Sequence, residues 1–302
     1  ARANRYLFGP QRELVEVFAG QNGLREDQVA GYCGSGVALD SAALAFTSPK
    51  AGLVTADPTF ESLAQMADAH GAPVARVPLL ADGAHDVEAM AAAAKAAGAG
   101  LVYVCNPNNP TGSITPRARI DWLLANKPAG SVLLVDEAYI HFSDEPDTLD
   151  LVRAGADVVV LRTFSKIYGM AGMRLGLAIA RPDLLQRMVL FGMNSLPVPS
   201  VAAGIASLRN PRQLAARKAE NTRLREETVA WLAARGHACL PSQANCFMVD
   251  VKGDGRAFSA AMARHKVFVG RSWPAMPQHV RITVGTSEEM QRFREAFAKV
   301  MA

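Results

Sequence analysis

The chain has 302 residues, 50% hydrophobic and 20% charged, and its 32 Lys+Arg against 28 Asp+Glu give a formal charge of +4. That length can bury a sizeable core and favours two domains. A surplus so small, with no long basic run, suits an anionic ligand but does not argue for nucleic acid, and no apolar run reaches the roughly 18 residues that span a membrane.

The four cysteines, Cys33, Cys105, Cys239 and Cys246, form no CxxC pair and have no histidines at metal-ligand spacing. They read as buried free thiols in a reducing compartment, with no metal site. The chain opens at "ARANRYLFGP", without a methionine or a signal peptide. The expectation is a cytoplasmic protein, or an exported one if an upstream segment carrying a signal has been removed.

In chain order, "GYCGSGVALDSAALAF" (31–46) is a Gly/Ser turn opening an Ala-rich helix. Backbone N–H groups at such a terminus bind phosphate. The stretch has neither a dinucleotide fingerprint nor a P-loop, so taken alone it reads as a capped helix. Next come apolar runs alternating with helical texture: "GLVTADP" then "FESLAQMADAHG", "VEAMAAAAKAAG" before "GLVYVCNP", and "RARIDWLLANK" before "SVLLVDEAY". This alternation predicts βαβ units and a mostly parallel sheet covered on both faces, to which "DVVVLRTFS" and "RLGLAIA" add further strands. Ligands of open sheets bind beyond the carboxyl ends of the strands, where these runs break into polar residues.

Three breaks carry chemistry. "CNPNNPTG" (105–112) is rich in turn residues, and its position after a strand offers a fixed asparagine to a ligand. "SVLLVDEAYIHF" ends in Asp136 and Glu137, followed by Tyr139. Neighbouring strand residues point to opposite faces, so one carboxylate, Asp136, faces the site, which weakens a glycosidase-like pair; a simple turn cap is the bland alternative. "RTFSKIYGMAGMRLG" (162–176) sets Lys166 among small and apolar residues. Lys166 is then either a surface charge on an apolar stem or a desolvated amine able to add to a carbonyl. From about residue 209 the texture becomes a charged helix, then strands at "NCFMVDV" and "HVRITVG" and a closing helix from Ser287, which predicts a second, smaller α+β unit. Glu220, Glu226 and Glu227 interrupt the basic residues of the charged helix, whose alternating charges read as a solvated face.

These pieces, in this order, resemble the fold-type I pyridoxal-phosphate (PLP) enzymes, in particular class I/II aminotransferases of the histidinol-phosphate aminotransferase group. The resemblance runs from "NRY" (4–6) to "VRITVGTSEEM" (280–290), and rests on Asn-Pro-Thr-Gly, Asp-x-x-Tyr and Ser-Lys with a trailing Arg recurring together. It implies an α/β PLP-transferase fold with a mostly parallel central sheet flanked by helices. Residues 26–210 would form the large PLP-binding domain, with 1–25 and 211–302 in the small one. It makes Lys166 the lysine that bonds PLP and shuttles the proton, with Asp136 facing the pyridine nitrogen so that the ring acts as an electron sink.

By the same resemblance, Asn109 and Tyr139 hydrogen-bond the ring's phenolic oxygen and Phe60 stacks on the ring. Ser35, Gly36, Ser165 and Arg174 hold the phosphate. Tyr6 reaches the phosphate of the other subunit, which implies a homodimer with shared active sites, and Arg281 and Arg271 face the substrate's acidic group. Val37 after "GSG" and Ile167 after the lysine depart from the family's usual residues, and its N-terminal arm lies ahead of this chain's start. The expected reaction moves an amino group between an L-amino acid, or histidinol phosphate, and a 2-oxo acid. A PLP-dependent decarboxylase of an amino-acid phosphate is the rival on the same fold. A transcription regulator would need an added DNA-binding domain, and a dehydrogenase would need a GxGxxG after the first strand.

Overall fold

A computed structural model describes residues 5–192 and 195–301. Seven strands form the main sheet: β1 (Val29–Tyr32), β2 (Leu53–Asp57), β3 (Val74–Pro78), β4 (Leu101–Cys105), β5 (Val132–Asp136), β6 (Val158–Thr163) and β7 (Gly176–Ala180). Their spatial order is β1-β7-β6-β5-β4-β2-β3, and β7 alone runs against its neighbours. The central strands β4, β5 and β6 are buried at every residue, as expected where helices cover both faces.

Alternation along these strands divides the core in two. Val102, Val104, Leu133, Val135 and Val160 pack on one side with the helices Val87–Ala97 and Arg117–Asn126. Leu101, Tyr103, Leu134 and Leu161 pack on the other with the helices Ser35–Phe46 and Ser62–Ala69. The edge strand β3 is only half-buried, and its Arg76 pairs with Asp68 at 2.7 Å, a charged edge that discourages further pairing. Gly176 brings the sheet close to the first of these helices, because a Cβ there would stand 2.4 Å from the Ser35 nitrogen.

The helix Pro211–Ala233 leads to a second layer in which β8 (Cys246–Asp250) pairs antiparallel with β9 (His279–Thr283). Phe247, Val249, Phe258, Met262, Val280, Ile282, Phe293 and Phe297 form its core. Its closing helix, Ser287–Val300, begins with a capping box in which Thr286 Oγ1 accepts from the Glu289 nitrogen and the Glu289 carboxylate accepts from the Thr286 nitrogen at 2.7 Å.

The two layers are tied together by polar contacts. Lys218 Nζ donates to the Ser143 carbonyl at 2.6 Å, Arg217 Nη1 to the Ile167 carbonyl at 2.8 Å, and the Ser143 hydroxyl to Gln243 Oε1 at 2.8 Å.

The structure corrects two expectations. The resemblance puts residues 1–25 with the small unit, yet the helix Phe8–Gln21 places Leu14, Phe18 and Ala19 in the core under the large sheet. Its apolar residues at i and i+4 need a partner face, which the helix Val198–Leu208 supplies, and Gln21 Nε2 donates to the Leu208 carbonyl at 3.0 Å. The four thiols are free, but only Cys105 and Cys246 are buried, whereas Cys33 and Cys239 are partly exposed. No helix among the described residues is long and apolar enough to cross a membrane.

Candidate active site

The carboxyl ends of β4, β5 and β6 converge with the start of the helix Ser35–Phe46 on a cavity of about 220 Å³. Ser35, Gly36, Phe60, Asn109, Asp136, Tyr139, Ser165, Lys166 and Arg174, nine of the twelve residues singled out from the sequence, line it. Arg281 joins them through a hydrogen bond from Nη1 to Asn109 Oδ1, 2.7 Å. Arg281 and Arg271 both line an adjoining cavity that shares Phe60 and Asn109 with the first, and there Arg271 is paired with Glu61. Tyr6 is 82% exposed and lines neither.

Part of the cavity lining is rich in hydrogen-bond donors. Arg174 Nη1 donates to the Ala171 carbonyl at 3.0 Å and reaches Ser165 Oγ at 3.5 Å, and the guanidinium has no carboxylate partner among the described residues. Gly34, just before the helix, has φ 89° and ψ 153°, and a Cβ there would lie 2.3 Å from Arg174 Nη2. A guanidinium, a hydroxyl and the N–H groups of a 12-residue helix thus meet where only glycine leaves room.

The same cavity holds titrating groups. Asp136 is buried, and its two oxygens accept from Tyr103 O–H at 3.2 Å and the Ala138 nitrogen at 3.1 Å. Burial pushes its pKa up to about 6, against the pull of those bonds and of the Lys166 charge. Burial likewise lowers the Lys166 pKa, with the Arg281 charge adding to it, and Lys166 Nζ lies 5.0 Å from the centre of the Tyr139 ring. Glu137 turns to the opposite face, as strand alternation requires. There it meets buried Arg162 at 2.8 Å and accepts from the Thr148 nitrogen at 2.7 Å and hydroxyl at 2.8 Å.

Sequence reasoning missed Tyr103, Thr163 and Cys105 as parts of this site. Tyr103 had one signal, a phenol in the otherwise aliphatic run "LVYVC" two residues before the strand end. Thr163 and Cys105 had none, because a small polar residue closing a strand is commonplace.

An open α/β sheet whose strand ends enclose a cavity lined by a guanidinium, a desolvated lysine and a buried carboxylate defines a fold-type I transferase. The family model for aminotransferase class I and II matches residues 11–297, and the chain belongs to that family: it is a transaminase. It is 36% identical over 307 residues to a histidinol-phosphate aminotransferase of Symbiobacterium thermophilum, covering 98% of this chain and 82% of that protein. It is 34% identical over 302 residues to an aromatic amino acid aminotransferase of Rhodococcus jostii, covering 97% and 81%. The crystal structure of histidinol-phosphate aminotransferase from Sinorhizobium meliloti in complex with pyridoxal-5'-phosphate matches with a TM-score of 0.89 at 26% identity, covering 98% of this chain and 83% of that one.

Proposed function

We propose that this transaminase works through PLP held in the cavity described above, and moves an amino group from an L-amino acid or histidinol phosphate to a 2-oxo acid. The observation that supports the residue roles is that one small cavity holds Arg174, which has no carboxylate partner among the described residues, together with a desolvated Lys166 and a buried Asp136. Those groups suit a phosphorylated, protonated pyridine with an aldehyde, and PLP supplies the electron sink that makes the substrate's Cα proton acidic.

Ser35, Gly36, Ser165 and Arg174 would hold the phosphate through hydroxyls, helix N–H groups and a guanidinium. Asp136 would face the ring nitrogen. Being buried, it gains from a cationic partner, and Tyr103 and the Ala138 nitrogen fix its direction. Tyr139 and Asn109 would donate to the phenolic oxygen, and Phe60 would cover the ring. Lys166 Nζ would bond the cofactor, then carry the proton from substrate Cα; its lowered pKa leaves more of the amine neutral for that task. Arg281 would take the substrate's acidic group. The working form would be a homodimer in which exposed Tyr6 reaches the partner's phosphate; its exposure and that of Phe8 support such a surface.

Borohydride reduction of the purified holoenzyme followed by peptide mapping tests the assignment. The expected result is cofactor fixed on Lys166, with neither label nor transfer in Lys166→Ala. Label on another lysine, or transfer surviving in Lys166→Ala, would sink it. Screening histidinol phosphate and aromatic amino acids against 2-oxo acids identifies the donor, and carbon dioxide released without an oxo-acid acceptor would instead mark a decarboxylase.

A further inference from the structure

Next to the cofactor cavity lies a second one of about 450 Å³, and Phe60 and Asn109 line both. Its charged residues are Arg271, Arg281 and Glu61. Arg271 is ion-paired with Glu61, which reaches it from the large-sheet side of the cleft, and its guanidinium lies 4.4 Å from the Trp273 ring centre. Arg281 differs: it donates to the neutral Asn109 amide oxygen at 2.7 Å, and its buried Nε has no acceptor, nor its guanidinium a carboxylate, among the described residues. One guanidinium is neutralised and the other is not, so the lining carries one net positive charge, beside the rings of Phe60 and Trp273.

Resting on the transaminase reading above, we infer that Glu61 is a specificity determinant that keeps Arg271 occupied, so that the enzyme prefers donors with one carboxylate and an uncharged aromatic side chain. A carboxylate brings one negative charge, which Arg281 matches. A phosphate monoester brings about −1.5 to −2 at neutral pH and needs both guanidiniums, so it must displace Glu61 or sit beside its like charge. A dicarboxylate meets the same obstacle with its second anionic group. Rejection by an unfavourable charge is a common source of discrimination.

The test uses two ligands that share a phenyl ring and lack an amino group, 3-phenylpropanoate and 2-phenylethyl phosphate, titrated calorimetrically into wild-type holoenzyme, Glu61→Gln and Glu61→Gln/Arg271→Gln. The wild type should bind the carboxylate more tightly. Glu61→Gln should move the affinity ratio toward the phosphate by about tenfold, the size expected for a unit charge near a partly exposed site, and the double variant should lose that gain. The ratio of kcat/KM for histidinol phosphate over phenylalanine should move the same way. A ratio shift below about twofold, a shift toward the carboxylate, or a gain that survives in the double variant would overturn the inference. Failure of the transaminase reading shows differently, as no amino transfer from either donor, whereas the ligand ratio is read without turnover.

Discussion

Replacing Gly34 by alanine tests the proposed phosphate site separately from the fold that carries it. At φ 89° and ψ 153° the residue sits in a region essentially reserved for glycine, where any other residue costs on the order of 1–3 kcal/mol. The new methyl would also fall 2.3 Å from Nη2 and 2.8 Å from Cζ of Arg174. The obstructing atoms are the end of a flexible side chain, so the guanidinium yields and the sheet stays in place. With Arg174 holding the phosphate as proposed, the loss then falls on phosphate binding, because a hydrogen bond to a charged group contributes about 1.5–3 kcal/mol. At about 1.4 kcal/mol per decade, one lost bond weakens cofactor binding between about tenfold and a hundredfold.

Apoenzyme titrated with PLP and followed by cofactor absorbance measures the effect. Gly172→Ala is the control, since a Cβ there meets nothing within 4 Å. Pyridoxal, which lacks the phosphate, is the second control and should bind Gly34→Ala and wild type with similar affinity. If Gly34→Ala binds PLP within about twofold of Gly172→Ala, Arg174 does not hold the phosphate as argued. If pyridoxal binding falls as steeply as PLP binding, the damage is general.

Two further predictions concern stability. The pKa of Asp136 is raised from 3.8 to about 6 by burial, so the folded protein holds this proton more tightly than the unfolded chain. Its contribution is therefore fully present below the unfolded value and lost as pH rises through about 6, a change on the order of 3 kcal/mol. In urea melts of cofactor-free protein, wild type should lose stability relative to Asp136→Asn between about pH 4 and 7; a difference constant across that range would refute the burial argument. Arg162→Met should cost about 3–5 kcal/mol, because Glu137 is left buried without its cation. Adding Glu137→Gln should recover part of that loss, and a single-variant cost below about 1 kcal/mol would show that the pair contributes little.

The local chemistry of the chain was legible from its residues because each signal lies within a few positions. The apolar runs from Leu101 to Cys105 and from Val132 to Val135 are strands buried on both faces, and Asn109 and Asp136, in the polar breaks that follow them, line the cavity. The opposite facing of Asp136 and Glu137 follows from the two-residue period of a strand. What the sequence could not decide was which distant surfaces meet. The helix Phe8–Gln21 has an apolar face but no mark of its partner, and packing alone set it under the large sheet. Tyr103 lies 33 residues from the Asp136 it bonds, and Glu61 lies 210 from the Arg271 it neutralises. Residue type and spacing fix which atoms can take part in the chemistry, but the charge each presents to a ligand depends on partners delivered by the sheet order and the packing of the two layers, and those exist only in the folded chain.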